Sequence, residues 1–313
     1  MWKSVGRAVQ GRGHVQQGIP CQDSTYTACI NGTYVIALAD GAGSAKHSEW
    51  GASFVTKCVS EALCIEFDDF FSQDDTILVR ENLIDRILGG LFSVAQRKGC
   101  DVKDLASTLL AVAVKGDRMM MVHLGDGVIG YYDGDNLKVA SKPDNGEYNN
   151  STYFTTTEGA VNHLRLTKGR LGSAKGFILF SDGAEPSFYD YKNNAISQGL
   201  SPVFEDLQNS DVDDVGSDLE ESLEVIKNRT MDDCSIAVMS LVEDSIVGEG
   251  IAPVRPVADG KPGPDGKPGA DGKPGPDGKP GADGKPGLPS NLVRYIIIGL
   301  VIWDVILTIM LFL

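Results

Sequence analysis

YVIALADG, residues 34–41, runs through unbroken apolar sequence and stops on Asp40-Gly41. The same design returns in MMMVHLGDG, residues 119–127, ending on Asp126-Gly127, and in GFILFSDG, residues 176–183, ending on Asp182-Gly183. Short apolar runs of this kind read as buried strands, and each delivers a carboxylate at its exit, where glycine lets the chain turn. Two further carboxylate positions flank strand-like runs: Asp23 in PCQDS, and Asp232 with Asp233 in RTMDDCSIAVM. A lone Asp-Gly means only a turn, and Asp133-Gly134 between Tyr132 and Leu137 reads as a hairpin. Repetition at strand ends sets the others apart. Hard oxygen ligands without histidine or thiolate partners suit Mg²⁺ or Mn²⁺ rather than zinc.

Outward from these strands, Lys3–Val9, Leu109–Val114 and Ile236–Val242 also read as strands, and helical spacing covers Ser48–Phe67, Thr76–Lys98 and Val212–Asn228. Strands follow one another through tight turns, as around Lys115-Gly116-Asp117, which predicts antiparallel sheet rather than a Rossmann arrangement. No glycine-rich phosphate loop occurs in this part. The chain has 313 residues, 42% of them hydrophobic, enough for a sizeable core. Its 43 acidic residues against 28 basic ones give a formal charge of -15 and exclude a nucleic-acid-binding role. The 6 cysteines form neither a CxxC pair nor a dense framework, which fits a reducing compartment. The opening residues lack the apolar region of a secretory signal.

Composition divides the rest. Residues 1–245 are expected to form the globular domain, 246–259 a linker, and 260–289 a collagen-type repeat with Gly at every third position. That repeat is either one strand of a triple helix or a monomeric polyproline-II spacer, and in both forms it reaches about 90 Å. A transmembrane helix is expected within 292–313, where Tyr295–Leu313 carries Asp304 as its one charge. Arg294 and the lysines precede the span, so the positive-inside rule predicts a C-terminal anchor with the domain in the cytoplasm. A mid-span carboxylate costs roughly 2.5–3.5 kcal/mol, so Asp304 is expected to face a partner helix, consistent with a homotrimer.

The series PCQD, ADGAG, Ala106-Ser107-Thr108, GDG, SDG and DDCS, in this order, resembles the metal-dependent protein phosphatases of the 2C type. GxxHxxxxxPCQD with ADGAGS and the later Gly146-Glu147-Tyr148 is similar to a bacterial subgroup of that family. The resemblance covers residues 1–243 and implies an α+β fold, an α-β-β-α sandwich of two antiparallel sheets between helical layers. It implies that Asp40 bridges two metal ions and that the Gly41 carbonyl binds one of them. Asp182 and Asp232 would complete one ion, Asp23 would act through its water shell, and Asp126 with Asp182 would hold a third, weaker ion. A metal-activated water would then hydrolyse the phosphomonoesters of phosphorylated Ser/Thr proteins.

Two positions depart from the family pattern. Where many members have a histidine directly after Asp-Gly, this chain has Ala42, and where many have a phosphate-gripping arginine it has Gly18. His14 is expected to take over the phosphate contact, with Arg12 as the other choice and His47 as a distant acid. The leading expectation is a membrane-tethered serine/threonine phosphatase acting near a partner kinase or its targets. The rival is a catalytically weak or inactive phosphoprotein-binding scaffold of the same fold, and a stalk-borne surface adhesin lacks the export signal it requires. Cys234 is expected to be a buried, inert thiol, and residues 142–166 match the position of a variable flap.

Overall fold

Each run expected as a strand is one, and each expected helix is present. The computed structural model describes residues 1–144 and 152–242. The linker, the Gly-X-Y repeat, the apolar span and Gly146-Glu147-Tyr148 lie outside the described residues. Chain order begins with β1 (Trp2–Val9), α1 (Arg12–Gln17), β2 (Ser24–Ile30), β3 (Thr33–Ala39), α2 (Ser48–Ile65), α3 (Phe67–Ser72) and α4 (Thr76–Lys98). It continues with β4 (Leu109–Lys115), β5 (Arg118–Leu124), β6 (Val128–Tyr132), β7 (Leu137–Ser141), α5 (Ala160–His163), β8 (Arg165–Arg170) and β9 (Gly176–Phe180). Then follow α6 (Glu185–Phe188), the short pair β10 (Tyr189–Asp190) and β11 (Ala195–Ile196), α7 (Pro202–Asn209), α8 (Val212–Ile226) and β12 (Cys234–Leu241).

The strands form two five-stranded antiparallel sheets, in the orders β1-β12-β9-β6-β7 and β2-β3-β4-β5-β8. Period-two alternation sorts their side chains into layers. On β3, Ile36 and Leu38 enter the core between the sheets, while Val35 and Ala37 pack outward against α2 and α4. On β12, Ala237 and Met239 face the inter-sheet core and Ile236 and Val238 pack under α7 and α8. Burial on both faces is why these strands read as continuous apolar runs. Asp133-Gly134 is the expected hairpin between β6 and β7, with Asp133 Oδ1 accepting from the Asp135 and Asn136 amides.

Helix α2 stops two residues short of its expected end, and Phe67 instead begins α3 as a fully buried anchor. The carboxylate of Asp75 caps α4 by accepting from the Ile77 amide at 2.8 Å, and Gly99 ends it in the left-handed conformation. Among the described residues, no helix is long and apolar enough to cross a membrane.

Helix packing yields a contrast between two glycines. A Cβ at Gly89, inside α4, would meet nothing within 4 Å, whereas one at Gly51 on α2 would run into the Leu105 carbonyl, which belongs to the backbone. Gly89→Ala is expected to stabilise the protein by about 1 kcal/mol through helix propensity, and Gly51→Ala to destabilise it by about 2 kcal/mol through overpacking. Urea unfolding of both variants checks the opposite signs.

Candidate active site

Strand register gathers the carboxylates. Ser24 pairs with Ala39, so Asp23 and Asp40, one step beyond that pair, lie side by side. Val128 and Ile236 both pair with Phe180. Asp126 ahead of β6, Asp232 ahead of β12 and Asp182 after β9 therefore share one end of the sandwich. Leu109 opposite Leu124 brings the Ala106-Ser107-Thr108 segment to the same end.

That segment fixes Asp40. The Asp40 amide donates to Thr108 Oγ1 at 2.9 Å, and the Thr108 amide donates back to the Asp40 carbonyl at 2.8 Å. Gly41 is held by the hydrogen bond its N–H donates to the Gln22 carbonyl, and a Cβ there would press on that carbonyl and on Ser48. Asp23, 8% exposed, accepts from Ser235 Oγ at 2.6 Å, a bond from the first sheet to the second. Its other oxygen, and Asp182 Oδ1, are buried without a partner.

Burial and mutual repulsion act on this set. Desolvation pushes Asp23 up to about 8, against the hydrogen bond from Ser235, with Asp233 and Asp182 raising it further. Asp40 is raised well above the carboxylate range by burial and then by the charges of Asp23 and Asp182. Burial brings Asp182 up to about 6. Asp126 is raised by burial, against a hydrogen bond from Thr152.

The two neighbours Asp232 and Asp233 divide their tasks. Asp232 is exposed, while Asp233 is 1% exposed and accepts from the amides of Gly11 and Gln22, each at 2.6 Å. His14 Nδ1 lies 2.9 Å from Asp233 Oδ2, at an angle outside hydrogen-bond geometry. Arg12 Nε donates to the Thr230 carbonyl and the Gly13 amide to Met231, so α1 lies along residues 230–233 beside Asp232. His47 stacks on Trp50 at 4.2 Å and begins α2.

The family model described as "Protein phosphatase 2C" matches residues 10–224. The chain belongs to the protein phosphatase 2C family. "Serine/threonine-protein phosphatase 3" of Escherichia coli (strain K12) is 29% identical over 194 residues, covering 59% of this chain and 74% of that protein. A solved bacterial serine phosphatase covers 79% of this chain and 100% of its own, at 16% identity and a TM-score of 0.57. The phosphatase Stp1 from Staphylococcus aureus covers 78% and 96%, at 16% identity and TM-score 0.55. The catalytic domain of PstP, solved with 2 manganese ions, covers 77% and 99%, at 18% identity and TM-score 0.51. These structures share the 2C fold.

Both departures from the 2C pattern have local causes. Ala42 packs with Ala45, Ala106 and Phe154, so the place of a histidine is filled by an apolar cluster. Gly18 ends α1 with φ 67°, a left-handed conformation that an arginine adopts only with strain. One carboxylate escaped the sequence reading: Glu185, 5% exposed, accepts from Tyr191 at 2.6 Å, keeps Oε1 without a partner, and is raised to about 7 by burial and by Asp182 and Asp126. Its signal was its position three residues after Asp182. Cys234 is buried, as expected, and burial with the surrounding carboxylates pushes its thiol up to about 12.

Among the described residues, no three His, Cys, Asp or Glu side chains are set to hold an ion between them. Asp23, Asp40, Asp126 and Asp182 all have raised pKa values, so this set holds protons more tightly than free carboxylates do. Their all-oxygen chemistry and orphaned buried oxygens fit a hard divalent ion once those protons leave. Asp40, Asp182, Asp232 and Asp126 are the carboxylates that strand register brings to this end, with Asp23 beside Asp40.

Two outcomes follow from this geometry. Asp233→Ala strips the acceptor from two buried amides and is expected to cost about 3 kcal/mol in urea unfolding. Asp182 and Asp23 bind protons more tightly folded than unfolded, so their contribution is complete below the ordinary value of 3.8 and is lost as pH rises through about 6 and about 8. In EDTA the melting temperature should fall between about pH 5 and about pH 8, and excess Mn²⁺ should reverse much of the fall.

Proposed function

We propose that the chain is a Mg²⁺- or Mn²⁺-dependent phosphatase of phosphoserine and phosphothreonine proteins. The observation that carries this reading is the all-oxygen set that strand register gathers at one end of the sandwich, in which Asp23 Oδ1 and Asp182 Oδ1 are buried without a hydrogen-bond partner. Two divalent ions bound there supply positive charge for the phosphoryl oxygens and lower the pKa of a water, and a third, weaker ion is assigned to Asp126 with Asp182. Support comes from the family membership and from the two manganese ions of the PstP neighbour.

The chain's own residues do the positioning. Thr108 holds the Asp40 main chain and Ser235 orients Asp23, so neither carboxylate has to reorganise when charge arrives. Asp232 completes the cluster from the exposed side while Asp233 anchors its loop. His14, with Nδ1 turned to Asp233, is assigned the phosphate contact through Nε2. The apolar packing of Ala42 favours leaving-group protonation by solvent, and it is also the feature that would suit a weak or inactive scaffold.

The repeat and apolar span support a tether by sequence pattern. In this reading residues 260–289 hold the domain off the cytoplasmic face of a membrane, close to a kinase's phosphorylated targets, and three chains associate through repeat and span.

Turnover decides between enzyme and scaffold. The full chain should hydrolyse a phosphothreonine peptide with Mn²⁺ and not with EDTA, and Asp40→Asn and Asp182→Asn should each reduce kcat by at least about a thousandfold. Tight Mn²⁺ binding without turnover would establish the scaffold.

A further inference from the structure

His123 interrupts the apolar run of β5 between Val122 and Leu124 and is 1% exposed. A buried imidazole needs a partner for each nitrogen. Both are present: Nε2 lies 3.0 Å from the Gly125 carbonyl and Nδ1 2.9 Å from Ser141 Oγ. A carbonyl only accepts, so Nε2 carries the proton and Nδ1 accepts from the Ser141 hydroxyl. Burial, aided by the Arg165 charge, lowers the ring's pKa to about 3, and the neutral form is the one these partners require.

The location of the partners gives the ring a task. Ser141 ends β7 in the first sheet and His123 stands on β5 in the second, so the ring ties the sheets together at the carboxylate end. Gly125 has φ 114°, and its carbonyl also accepts from the Asp144 amide at 3.0 Å. That carbonyl belongs to the peptide unit joining Gly125 to Asp126. Two donors fix the plane of this unit, and the plane sets φ of Asp126 and hence the direction of its Cα–Cβ bond.

We infer that His123 is a positioning residue that aims the Asp126 carboxylate at its ion by holding the Gly125–Asp126 peptide plane. The inference rests on the proposed reading of Asp126 as the holder of the weaker ion. A ring that merely joined the sheets would affect stability and leave ion binding alone. Removing an outer partner of a metal ligand weakens binding by about 10-fold to 100-fold.

The test is a Mn²⁺ titration of the full-length chain by calorimetry, with melting temperatures measured in parallel. The amide nitrogen of Gln reaches the position of Nε2, whereas Asn reaches only the Ser141 side. His123→Asn should weaken the weakest Mn²⁺ site about tenfold with tighter sites unchanged, and His123→Gln should stay within about threefold of the parent. Equal Mn²⁺ binding by parent, Asn and Gln variants, whatever their melting temperatures, overturns the inference. Should His123→Asn not fold, Ser141→Ala decides, because loss of the hydroxyl lets the ring turn: the weakest site should drop about threefold, and unchanged affinity there overturns the inference. Asp126→Asn separates the two levels. Loss of the weakest site in that variant upholds the reading of Asp126, while an unchanged titration shows that this reading failed before His123 was in question.

Discussion

Carboxylates confined to one end of a two-sheet sandwich repel one another, and everything at that end is arranged around the repulsion. Burial first, and the charges of neighbouring carboxylates second, raise the pKa values of Asp23, Asp40 and Asp182. Neutral groups hold several of the carboxylates at this end from behind. Thr108 grips the main chain of Asp40, Ser235 reaches across from the other sheet to Asp23, and Tyr191 holds Glu185. Divalent ions bound there would displace protons and offset the repulsion, coupling ion binding to folding stability.

Asp233 is the exception that shows how the rest works. It is a carboxylate at the same end, but two backbone amides surround it, so its charge is satisfied within the protein. Its bonds bind the N-terminal segment at Gly11 and Gln22 to the start of β12, and they leave Asp232 exposed at the rim. Neighbouring identical residues thus separate into an anchor and a group open to a ligand. The same lock lays α1 along residues 230–233 and sets where Arg12 and His14 stand.

The departures at positions 18 and 42 are structural adjustments with chemical consequences. The left-handed turn at Gly18 closes α1, and Phe154 covers Ala42 together with Ala45 and Ala106. At Gly18 space is open and the backbone conformation is what disfavours a longer side chain, while at Ala42 the surroundings are taken up by apolar packing.

The sandwich was legible in the sequence because strands buried on both faces must be apolar throughout, and YVIALADG, MMMVHLGDG and GFILFSDG are. Their terminal Asp-Gly pairs disclosed Asp40, Asp126 and Asp182 for the same reason: a polar residue at the end of an apolar run stands out. The strand β2, STYTACI, escaped notice because its residues are partly exposed and follow no clear apolar pattern. Asp232 and Asp233 could not be told apart along the chain, since burial and amide partners more than two hundred residues away distinguish them. Glu185 and His123 were equally silent, because nothing in their local sequence shows what their side chains meet. Local pattern, which depends on the periodicity of side-chain burial, determined the elements and the chemical type of the site. Which carboxylate is held, which is free and which neutral group aims it were decided by antiparallel register, because only pairing between distant strands brings those groups within hydrogen-bonding distance.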